Sequence, residues 1–163
     1  MKKTVLVSLL LICTNFLCFS NIFYLDGISF EYKKGWSINP IQQDRTTQIT
    51  GMKLPNTFSI VKTPVEGVNA ERQLEKTVSA VEDSYRSGTS KIKLVSKSNV
   101  EERVIGEGIR VQSIELTLSK NVYQRLYVFE KQGYMIQVVI TGRGKKYNDN
   151  FSTILKSFSF NPE

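Results

Sequence analysis

Ser59 and Lys62, in the stretch SIVK, have the Ser-x-x-Lys spacing with which a lysine activates a serine nucleophile in penicillin-binding enzymes. Those enzymes hold the pair on one turn of a helix. Here the stretch reads as a β-strand, on which residues three apart face opposite ways. The companion Ser-Asp-Asn and Lys-Thr-Gly motifs are also missing.

The stretch TGRGKK, residues 141–146, lies between an expected strand and an expected helix, where phosphate-cradling loops are found. It lacks the P-loop spacing between its glycines and the Ser or Thr after the lysine, so nucleotide hydrolysis is disfavoured. What remains is charge. Arg143, Lys145 and Lys146 crowd the expected helix start, where the backbone dipole is already positive, and a bound anion would relieve the repulsion. These three residues are the candidate site for an anion or an acidic partner, set against the plainer reading of a solvated basic turn.

The carboxylates converge less clearly. Glu101 and Glu102 are adjacent on a strand and face opposite ways, and Glu107 and Glu115 have no evident partner. A carboxylate-based enzyme such as a glycosidase needs two such groups in one cleft. The chain has no histidine, and its two cysteines, Cys13 and Cys18, fall in the apolar N-terminal run. Zinc and copper sites and Ser-His-Asp or Cys-His catalysis are therefore disfavoured or excluded, and no EF-hand spacing occurs. No cofactor and no catalytic or metal-binding residue is expected.

Lys2 and Lys3 precede VLVSLLLICTNFLCF, residues 5–19, the pattern of a secretory signal. Residues 1–20 are read as that signal, with Asn21 the first mature residue. The alternative is an uncleaved anchor extended to about residue 25 by Ile22, Phe23, Tyr24 and Leu25. Either way the remainder is exported, whether periplasmic, envelope-associated or secreted. Loss of Lys2 and Lys3 would lower the formal net charge of +7 by two. That mild basicity favours anionic surfaces and is too dispersed for a nucleic-acid groove.

With 163 residues and 40% hydrophobic content, the chain suits one domain, residues 21–163. ISFEY alternates as a half-buried strand, Lys33-Lys34-Gly35 turns, and Trp36 to Ile38 resumes extended structure until Pro40 stops it. TTQITGMKL and FSIVKT read as a hairpin. From Asn69, AERQLEKTVSAVEDSYRS places Ala70, Leu74, Val78, Val81 and Tyr85 on one helical stripe, with Gly88 as the terminator. KIKLVSKSNVEERVI, EGIRVQSIELTLS, VYQRLYVFEK and YMIQVVIT follow as strands of an antiparallel meander, the last two apolar on both faces. KKYNDNFSTILKSF reads as a second helix. The expected fold is α+β, a three-layer α/β/α sandwich around a mainly antiparallel sheet.

Several stretches resemble the PsbP, Mog1p and DcrB-like group of α/β/α sandwich domains. They are FEYKKGW, the middle helix, GEGIRVQSIELTL with NVYQRLYVFEKQGYMIQVVITG, and the closing FSTILKSFSF, which together span residues 30–160. The group often has a proline shortly before its Gly-Trp, where this chain has Lys33 and Lys34. The resemblance implies a noncatalytic binding or accessory domain, since members attach to photosynthetic complexes, a small GTPase or bacterial envelopes. No ligand runs through the group, so no functional residue carries over. Trp36 is then expected to plug one end of the sandwich.

The expected function is that of an exported, monomeric binding domain. Its partner would be an envelope protein or an anionic envelope component, with peripheral membrane contact and no nucleic acid. The alternative is a small-ligand carrier with a pocket lined by Tyr127, Phe129 and Tyr134.

Overall fold

A computed structural model of the chain describes residues 20–86 and 91–161. Residues 1–19 of the expected secretory signal, read as 1–20, and the expected helix terminator Gly88 lie outside the described residues. The structure opens with β1 (Ser20–Leu25) and β2 (Ile28–Lys33), joined by Asp26-Gly27. Both turn residues have positive φ, 52° and 77°, as an Asp-Gly hairpin of this hand requires. Ile22 to Leu25, which the sequence offers as the tail of an anchor, are thus strand.

The main sheet has eight strands, all paired antiparallel. Its members are β3 (Ser37–Gln43), β4 (Thr46–Lys53), β5 (Asn56–Pro64), β6 (Leu94–Lys97), β7 (Glu101–Ile105), β8 (Ile109–Leu118), β9 (Val122–Lys131) and β10 (Tyr134–Arg143). Their order is β3-β4-β5-β10-β9-β8-β6, with β7 also on β8. Pro40 does not stop β3, because β3 is the edge strand and a missing ladder donor is tolerated there. The stretch 91–105, read as one strand, is broken by Ser98-Asn99-Val100 into β6 and β7.

Helix α1 (Ala70–Arg86) has its first turn capped as expected, with the Asn69 Oδ1 accepting from the Arg72 N–H at 2.9 Å. Its apolar stripe, led by Leu74 and Val78, packs on Leu116, Leu118, Leu126 and Val128 of the sheet. The opposite face meets a composite cover. The expected second helix is a 3-10 turn at Tyr147–Phe151 followed by the short α2 (Ser152–Ser157). They share that side with a small sheet of β1, β2 and the terminal β11 (Ser159–Phe160). Phe30, Phe151, Ile154, Phe158 and Phe160 of this cover form a core with Ile60, Phe129 and Val138 of the main sheet. The result is an α+β fold of mostly antiparallel sheet with two helices among the described residues; an unbroken helical layer covers one face only.

Candidate functional site

Lys62 is the buried charge that sequence reasoning missed. It sits on β5 at 3% exposure, while Ser59, its Ser-x-x-Lys partner, faces the other side of the sheet. The Lys62 Nζ lies 2.6 Å from the Asp26 carboxylate, donates to the Asp26 carbonyl at 3.0 Å, and stands 4.2 Å from the centre of the Tyr134 ring. Thr47 donates its hydroxyl to the same carboxylate. Burial tends to raise the Asp26 pKa, but the hydrogen bonds from Lys62 and Thr47 and the lysine charge outweigh it, and the net shift is downward. The ammonium is held by its counter-ion, so the cluster ties the β1–β2 turn to the main sheet and leaves no free nucleophile.

Glu115 does have partners. Across the β8–β9 ladder it pairs with Arg125, which approaches to 2.6 Å, and the Tyr147 hydroxyl donates to it at 2.7 Å. Burial and this bond to a carboxylate push the Tyr147 phenol far above its ordinary range, keeping it protonated. Tyr123 stacks on Tyr147 at 5.6 Å. Beside the cluster lies a hollow of about 530 Å³ bordered by Arg103, Arg125, Tyr127, Asp149 and Lys156. Of the pocket residues suggested for a carrier, Tyr127 borders this hollow, Phe129 meets Phe158 edge-on at 6.0 Å, and the half-buried Tyr134 meets Phe160 at 6.0 Å.

Arg143, Lys145 and Lys146 are all exposed. The turn after them is 3-10 and has no side-chain cap, so a long helix dipole is not what distinguishes them. Topology is. In the antiparallel sheet the end of β10 lies beside the starts of β5 and β9, which brings four separated segments to one rim. The Gly144 N–H donates to the Asn121 carbonyl at 3.0 Å, joining the loop to the Lys120-Asn121 turn. A Cβ on Gly142 would lie 2.6 Å from the Asn56 Oδ1, so the loop also abuts the β4–β5 hairpin. From that hairpin Lys53 reaches across to donate to the Lys34 carbonyl at 3.3 Å. Lys33, Lys34, Lys53 and Lys120 are exposed too, and among the described residues no carboxylate pairs with any of these cations. The acids nearest along the chain are Glu31, two residues before Lys33 and accepting from the Ser20 hydroxyl at 2.8 Å, and Asp149, exposed on the 3-10 turn.

Trp36 lies just inside this rim. It is half-buried, 5.3 Å from the Phe58 ring and 5.5 Å from Phe151, and so closes the aromatic end of the core as expected. Because part of the indole remains in water, Trp36→Ala is expected to cost about 2 to 3 kcal/mol, below the ~3–5 kcal/mol of a fully buried ring. Chemical denaturation measures the loss, and native emission should be blue-shifted. Red emission with unchanged stability would make the indole a surface group.

The eight-stranded antiparallel sheet, the capped helix on one face and the aromatic core beneath the other define a PsbP-like fold. Among solved structures, that of cyanobacterial PsbP from Synechocystis sp. PCC 6803 is similar, with a TM-score of 0.64 over 88% of this chain and 94% of that one, at 15% identity. No family model matches the sequence, and no curated protein matches it.

Proposed function

We propose that the chain is an exported, noncatalytic binding domain that docks an anionic component of the cell envelope through its basic rim. The observation carrying this reading is the gathering of Lys34, Lys53, Lys120, Arg143, Lys145 and Lys146 at one end of the sheet with no paired carboxylate among the described residues. Like charges held together repel one another, and an external anion offsets that repulsion. Export is supported by Lys2 and Lys3 ahead of the apolar run, the arrangement of a secretory leader. A PsbP-like fold is consistent with an accessory role, and within this reading the two partly buried ion-pair clusters serve stability. The domain acts as a monomer whose layers meet around the central strands.

Replacing Arg143, Lys145 and Lys146 together by Gln tests the reading. The side chains are exposed, so the fold should persist, with a melting temperature at or slightly above that of the wild type. Binding to an envelope fraction should fall about tenfold or more at low ionic strength, and the deficit should shrink as salt screens the remaining charges. Equal binding by both proteins across a salt series would leave the loop as a solvated turn.

A further inference from the structure

We infer that the basic rim is a membrane-docking face whose occupant is an anionic phospholipid surface, with Leu54 as the inserting residue. This rests on the proposed use of the rim and names its partner. The tip of the β4–β5 hairpin, Lys53-Leu54-Pro55-Asn56, projects beyond the sheet end, with Leu54 at 80% exposure and Met52 just behind it at 49%. Leu54 is the most exposed large apolar side chain of the described residues, and both stand in the midst of the cations.

A soluble anion or a strongly acidic protein surface would use the charge and leave Leu54 in water. A lipid surface uses both, because phosphate headgroups meet the lysines while an apolar tip passes into the boundary between headgroups and acyl chains. The cations share one end of the sheet. Lys34, Lys53, Lys120 and the 143–146 loop come from turns at the same end of neighbouring antiparallel strands. From β4 to β8 the rim crosses five neighbouring strands, about 19 Å at the usual ~4.8 Å spacing, enough to touch several headgroups at once. The opposite rim has mixed charge, with Asp44, Glu66, Glu107 and Glu130 beside Arg45 and Lys131, which fixes the orientation on a negative surface. Among the described residues no helix is long and apolar enough to cross a membrane, and the contact inferred is peripheral.

The test is co-sedimentation of the full chain with vesicles of phosphatidylglycerol in phosphatidylcholine and with phosphatidylcholine alone. Residues 1–19, with Lys2, Lys3 and the apolar run, are common to wild type and variant, so the difference between the two proteins reports on the hairpin tip. Binding to soluble polyphosphate is measured in parallel. The wild type should bind anionic vesicles well above neutral ones. Leu54→Ser should bind anionic vesicles about tenfold less, the scale expected for losing a largely buried leucine side chain, while binding polyphosphate as before. An unchanged melting temperature is expected, since Leu54 makes little contact with the core.

Leu54→Ser binding anionic vesicles like the wild type overturns insertion. Wild-type protein that binds polyphosphate yet treats both vesicles alike overturns the lipid assignment and leaves the rim to a soluble anionic partner such as an acidic protein. Binding to neither probe removes the basic-rim reading itself.

Discussion

Asp26→Ala should lower stability by about 2 to 3 kcal/mol, below the ~3–5 kcal/mol for stranding one member of a fully buried ion pair, because the Asp26 side chain is itself 34% exposed. Lys62 is 3% exposed and its ammonium has the Asp26 carboxylate as its counter-ion, so the substitution leaves a charge in the core with only the Asp26 carbonyl and an aromatic face. Lys62→Met in the same background should recover most of the loss, because the lone charge is then gone and the site is apolar. The pH dependence has a definite sign. The folded-state pKa of Asp26 is lowered, so its contribution is fully present above the ordinary carboxylate value of about 3.9 and is lost as pH falls through the lower folded value. Urea unfolding at pH 7 and below pH 4 should therefore show the wild type and Asp26→Ala converging in acid. A variant within about 1 kcal/mol of the wild type at pH 7 would mean that the pair is not a structural tie.

Gly106→Ala is expected to cost about 2–5 kcal/mol, from two sources. The residue has φ +54°, where a side chain adds about 1–2 kcal/mol. A Cβ there would also fall 1.8 Å from the Phe158 carbonyl oxygen, so backbone must move, and overpacking of that kind costs about 1–3 kcal/mol or more. The Gly106 N–H donates to the Leu155 carbonyl at 2.7 Å, so any shift pulls on the end of α2. Gly108 provides the control. It has φ +82° but nothing within 4 Å of its would-be Cβ, and Gly108→Ala should lose only the conformational part. Denaturation of the two variants side by side separates the terms; equal losses would show that the close approach to Phe158 relaxes without cost.

Much of this architecture is legible in the residues. Asn69 and the stripe from Leu74 to Tyr85 mark α1, and the two-sided apolar character of β9 and β10 marks strands covered on both faces. The Leu25-Asp26-Gly27-Ile28 step carries the Asp-Gly hairpin signal for β1, but the apolar run before it masks that signal. The Glu115–Arg125 pair follows once the turn is centred on Lys120, since the two residues are equidistant from it. Lys62 and Asp26 are different. Alternation identifies a strand at Lys62, yet its counter-ion belongs to another sheet, and the pairing of sheets is a tertiary fact with no local pattern. The second helical cover is shorter than its stripe suggests, because Tyr147, Phe151, Ile154 and Phe158 keep helical spacing through a 3-10 turn, whose period is close enough to continue the pattern. Likewise, the loop at 143–146 stands out in the sequence, whereas its union with Lys34, Lys53 and Lys120 depends on strand order.

The basic rim is tested most directly by backbone amide shifts of the protein titrated with polyphosphate at low salt. Shifts should concentrate at residues 33–35, 53–56, 119–121 and 143–146, disappear together as salt is raised, and leave the Asp44 and Glu130 end unmoved. Saturable shifts centred elsewhere, or none at these four segments, would contradict the account.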